Sequence, residues 1–103
     1  MKLLDPIVAN TPQMAALRRD LHAHPELCFE EVRTADLVAA KLTEWGIPIH
    51  RGLGTTGVVG IVKAGNSDRA IALRADMDAL PMQEFNTFAH ASQHPGKMHA
   101  CGH

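Results

Sequence analysis

The stretch VVGIVKAGNSDRAIALRADMDALP, residues 58–81, decides the fold class. Val58–Val62 is a short β-branched run, which the pleated backbone of a buried strand accommodates well. Gly65-Asn66-Ser67-Asp68 has the composition of a turn. Ala70–Leu73 then reads as a second strand, and the two are expected to pair as a hairpin. Upstream the period changes from two to nearly four. Met14, Leu17 and Leu21 recur at helical spacing, and the spacing predicts a helix over 11–23 with Thr11 as N-cap and Pro12 at its first position. Pro25 disfavours helix at the residue before it and closes that segment. A second helix is predicted from about Arg33 to Trp45, with Val38, Leu42 and Trp45 on one face and Gly46 as a left-handed cap. Two helices followed by strands indicate an α/β or α+β arrangement, not an all-α bundle.

Composition narrows the function. The chain has 103 residues, 46% of them hydrophobic and 20% charged, with a formal net charge of -1. Those values fit one small globular unit and argue against a nucleic-acid or membrane-surface binder driven by charge. No apolar run is long enough to span a bilayer, and MKLLDPIVANTPQ lacks the apolar core of a signal peptide. A cytoplasmic location is therefore expected. Cys28 and Cys101 are too few for a disulfide framework and should be thiols there. Cys28 reads as a small buried hydrophobe.

Chemistry concentrates in two places. Asp76 and Asp78 leave the end of the second strand two residues apart, so they share a face. Carboxylates that close repel each other unless a cation, a proton or donors compensate. An ion pair with Arg74 would satisfy them as well as a metal would. The second place is His99-Ala100-Cys101-Gly102-His103, within a tract that puts His90, His94, His99 and His103 in the last 14 residues. Thiolate and imidazole are preferred ligands of zinc and its neighbours, and an extended segment points alternate residues one way. A solvated His-rich tail has the same composition.

Other candidates read as structural. His22 and His24 lie where a helix ends, which favours positive charge, and Glu30 and Glu31 complement the start of the next helix. Gly52–Gly57 has no Lys-Ser/Thr pair and precedes a strand, so it is a tight turn and not a phosphate loop. The region 81–103 shows no period at all, and a loop of that length is usually functional.

Four segments taken together resemble a known family: LRRDLHAHPELCFEE at 17–31, GTTGVVG at 54–60, ALRADMDALPMQE at 72–84 and KMHACGH at 97–103. They look like the N-terminal part of the hippurate hydrolase and N-acyl-amino-acid amidohydrolase branch of the aminoacylase–carboxypeptidase metallopeptidase family. The resemblance implies an α/β fold: the first portion, residues 1–103, of a zinc-peptidase-like catalytic domain with two helices and then strands of a mixed sheet. By that resemblance the rest of that domain and the smaller dimerisation domain are expected to be missing from this sequence. It implies two divalent ions (zinc, manganese, cobalt or nickel), with Cys101 and His103 as ligands. Asp78 would orient the site, and Asp76 would stand where related peptidases carry a ligand histidine. The family's general-base Glu and remaining ligands have no counterpart here, so no catalytic residue is assigned and the chain alone is expected to be inactive. The implied partners are small N-acyl or N-aroyl amino acids, with no nucleic acid or membrane, and a homo-oligomer for the complete relative. Cys28 stands where relatives often have Gly. A small non-catalytic metal-binding or partner-binding fragment is the alternative.

Overall fold

The computed structural model describes residues 2–102. It contains two helices, α1 (Asp5–Ala23) and α2 (Val32–Glu44), followed by two strands, β1 (Ile49–Leu53) and β2 (Gly57–Gly60). The helix–helix–strand–strand order and the α/β class agree with the sequence.

Helix α1 begins earlier than Thr11. Pro6 lies in its first turn and Asp5 complements the positive end of the helix dipole. Thr11 is thus inside the helix and caps nothing; its hydroxyl donates back to the Ile7 carbonyl at 3.2 Å. Pro12 has no N–H for the Val8 carbonyl, and that turn faces solvent, where water can satisfy the orphaned oxygen. The C-terminal end of α1 turns inward, with Ala23 buried and Pro25 fully enclosed.

Helix α2 matches its expected bounds closely. It ends in a Schellman motif: Gly46 N–H donates to the Thr43 carbonyl and Ile47 N–H to the Leu42 carbonyl, both at 2.9 Å. Gly46 carries the φ of 73° that this geometry demands. Glu31 occupies the N-cap position of α2, but its side chain makes no capping hydrogen bond and accepts instead from the Thr56 hydroxyl. The Glu26 carboxylate accepts the N–H groups of Arg33 at 2.9 Å and Thr34 at 2.6 Å. Burial opposes ionisation of Glu26, but these donors prevail and its pKa is lowered. The Thr34 hydroxyl lies beside the same carboxylate without a hydrogen bond of good geometry.

The hairpin differs from expectation. β2 pairs antiparallel with β1, not with Ala70–Leu73, and the register sets His50 against Val59 and Arg51 against Val58. The Gly52–Gly57 segment is indeed a turn into a strand, with Gly54 and Thr55 both at positive φ. Ala70–Leu73 forms no ladder, and Ile71 and Leu73 are 92% and 96% exposed. A strand needs a neighbour to take its N–H and C=O groups, and this run meets none among the described residues.

α2 packs on the hairpin. A Cβ on Gly60 would come within 3.2 Å of Ile47 Cγ2 and 3.3 Å of Leu42 Cδ1, so the missing side chain permits close approach. A Cβ on Gly57 would collide with the Leu53 carbonyl oxygen. Gly57→Ala should therefore cost about 1–3 kcal/mol, read as a lower melting temperature. Among the described residues the buried hydrophobic ones are all small: Ala23, Ala35, Ala39 and Ala79. Cys28, expected inside, is exposed. Local desolvation, and then the carboxylates of Asp78, Glu31 and Asp76, push its thiol pKa up.

Candidate metal centre

The chain from Ala79 to Gly102 contains no helix or strand, as its lack of period predicts. Backbone bridges place it instead. Ala79 N–H donates to the Glu26 carbonyl at 2.8 Å, and Leu80 and Met98 exchange two bonds of 2.9 and 3.0 Å. The second pair brings His99, Ala100 and Cys101 alongside the segment that carries Asp76 and Asp78.

Asp76, Asp78, Leu80, His99, Ala100 and Cys101 line one cavity of about 160 Å³. The two acid positions do share a face, and that face meets the His-Cys segment. Arg74 pairs with Asp76 at 2.5 Å, so the ion-pair reading also holds for that residue. His99 Nε2 is buried without a hydrogen-bond partner among the described residues. Burial and the neighbouring His22 lower the His99 pKa against the opposing charges of Asp78 and Glu26, which favours neutral imidazole, the form that ligates metals. Cys101 is exposed at the cavity and forms no disulfide. His103 lies outside the described residues.

The donors at the cavity (thiol, imidazole and carboxylate) are of the kind that divalent zinc-like ions take. Among the described residues no three His, Cys, Asp or Glu side chains converge to hold an ion. The cavity thus fits part of a coordination shell, with an orphaned ring nitrogen in its wall, and closing the shell requires further donors.

Glu84 is the residue that sequence reasoning missed. Its side chain is 2% exposed. Oε1 accepts from His22 Nε2 at 2.9 Å and Asn86 Nδ2 at 3.0 Å, and Oε2 accepts the Ser92 N–H at 2.5 Å. Because a carboxylate only accepts, His22 carries its proton on Nε2. His22 therefore has a structural partner, and its ring also packs within 5.8 Å of His90 and 6.4 Å of His99, centroid to centroid. His24 bonds to the Asp20 carbonyl at 2.9 Å. Burial would raise the Glu84 pKa, but the donors of Asn86, His22 and Ser92 outweigh it and lower it to about 2. The unfolded carboxyl titrates near 4.5. The stabilisation is complete above that value and is lost as the pH falls toward the folded pKa. Melting temperatures measured against pH should drop between 4.5 and about 2, and Glu84→Gln should flatten that limb.

Comparison with known proteins agrees with this geometry. Residues 72–103, which contain the whole cavity lining, match the model of peptidase family M20/M25/M40. The chain is 48% identical over 103 residues to hippurate hydrolase of Campylobacter jejuni, covering 100% of this chain and 27% of that protein. It is 49% identical over 89 residues to N-acyl-L-amino acid amidohydrolase of Geobacillus stearothermophilus, covering 85% of this chain and 24% of that one. The crystal structure of the Bacillus subtilis YXEP protein, described as a dinuclear metal binding peptidase from the M20 family, superposes with a TM-score of 0.86 at 43% identity, covering 92% of this chain and 27% of that chain. Residues 72–103 thus carry the match to peptidase family M20/M25/M40, and the chain as a whole is similar in sequence and fold to a solved member of that family. The chain is similar to hippurate hydrolase and an N-acyl-L-amino acid amidohydrolase, and it spans about a quarter of their length.

Proposed function

We propose that this chain supplies one wall of a two-metal amidohydrolase site that hydrolyses N-acyl or N-aroyl amino acids such as hippurate. The observation that carries the reading is the single cavity shared by Asp76, Asp78, His99 and Cys101. Cys101 and His103 would be metal ligands, with Cys101 entering as thiolate. Asp78 and Asp76 would lie behind them, orienting the ligands and balancing charge. When bound, the divalent ions would polarise the acyl carbonyl and lower the pKa of an attacking water. The ions would be zinc, manganese, cobalt or nickel, because a mixed S, N and O donor set admits each of them.

The described residues include no trio of ligands. By itself, therefore, the chain should not turn over hippurate even with metal added. We read it as the opening portion of the catalytic domain, acting in the cytoplasm on a small molecule, in a protein that assembles as a homo-oligomer when complete. No described helix is long and apolar enough to cross a membrane.

A chimera provides the test. This chain replaces the matching 27% of the Campylobacter jejuni hippurate hydrolase, to which it aligns along its whole length. The expected result is metal-dependent release of glycine from hippurate by the chimera and none by the 103-residue chain. A folded, metal-loaded chimera without hydrolysis would count against the reading.

A further inference from the structure

We propose that Glu84 is a positioning residue for the segment that carries His99 and Cys101. The importance of that segment rests on the function proposed above; the placement itself does not. Residues 83–98 form no helix or strand, so no repeating hydrogen-bond ladder holds them. Buried polar groups must do so instead, and Glu84 is where they meet.

The connections can be followed atom by atom. Glu84 takes the Ser92 N–H on one oxygen and the His22 ring and the Asn86 amide on the other. The Ser92 hydroxyl donates to the Lys97 carbonyl at 2.7 Å, and Gly96 N–H donates to Gln83 Oε1 at 2.8 Å. Lys97 leads directly into Met98, whose two bonds to Leu80 set the direction of His99–Cys101. A second tie from Gln93 N–H to the Ala23 carbonyl, at 2.9 Å, fixes the same loop to the end of α1. His22 and Glu84 are 62 residues apart in the chain, so this one pair joins the first helix to the site segment.

A neutral amide at position 84 keeps the shape and loses one acceptor oxygen, so a buried donor goes unpaired. The loop then loses the contact that orients it, while α2 and the hairpin keep theirs. Aspartate keeps the charge and both acceptors on a shorter arm.

The experiment follows assigned backbone amide resonances of the 103-residue chain, well below its melting temperature, in wild type, Glu84→Gln and Glu84→Asp. The amides of Ser92, Met98, His99 and Cys101 should lose their dispersed positions in Glu84→Gln and partly recover them in Glu84→Asp. Those of α2 and β1–β2 should not move. If Glu84→Gln unfolds the chain, His22→Asn, which removes one of the three donors, gives the same comparison. Wild-type resonances for His99 and Cys101 in a folded variant that merely melts earlier would overturn the proposal. No metal or substrate enters this measurement, so its failure is separate from failure of the hippurate assay.

Discussion

Replacing Glu84 with alanine should lower the stability of the chain by about 3 kcal/mol or more, the usual consequence of removing a buried acceptor on which several donors converge. Three donors lose their acceptor together, and His22 is left as a largely buried ring facing a cavity. The hydrophobic core offers little reserve, because its buried members among the described residues are alanines. A loss of that size is a large share of the roughly 5–15 kcal/mol that a domain possesses. Denaturant melts of wild type and Glu84→Ala give the difference directly. A change below about 1 kcal/mol would mean that solvent replaces the carboxylate without difficulty, and the loop would then be held mainly by the Leu80–Met98 bridge.

Cys101→Ala in the hippurate hydrolase chimera should reduce kcat/KM on the order of a thousandfold, the equivalent of several kcal/mol of lost charge stabilisation at a metal. Cys28→Ala is the internal control. Both thiols lie near Asp78, but only Cys101 lines the cavity. Cys28→Ala should leave the rate within about twofold, a free-energy change smaller than RT. Equal losses from the two substitutions would place the decisive chemistry in the shared carboxylates and not in the Cys101 ligand.

How much of this was legible beforehand depends on what each residue answers to. Helix α2 was readable because its spacing and Gly46 both act locally. β2 was recognisable as a strand, expected over Val58–Val62 and found at Gly57–Gly60, but its partner was not. β1 contains His50, Arg51 and Gly52, a composition that reads as loop. Closing the short Gly54–Thr56 turn costs less entropy than closing the longer loop to Ala70. The meeting of the RADMD and HACG segments followed from family resemblance. Spacing alone could not place them together, because their contact spans an aperiodic loop. Glu26 and Glu84 escaped notice for a related reason. An acidic residue in a loop ordinarily faces water, and only tertiary contacts show that one caps α2 and the other ties α1 to the site. Cys28 failed in the opposite sense: its residue type favours burial, and the turn that carries Phe29 at a φ of 64° holds it outside.

The central claim is that Cys101 ligates a catalytic divalent ion. The most direct measurement is the absorption spectrum of the cobalt-substituted chimera before and after Cys101→Ser. The account predicts a thiolate-to-cobalt charge-transfer band in the parent protein and its loss in the serine variant. A band that survives the substitution, or its absence from a folded, cobalt-loaded and active parent, would contradict it.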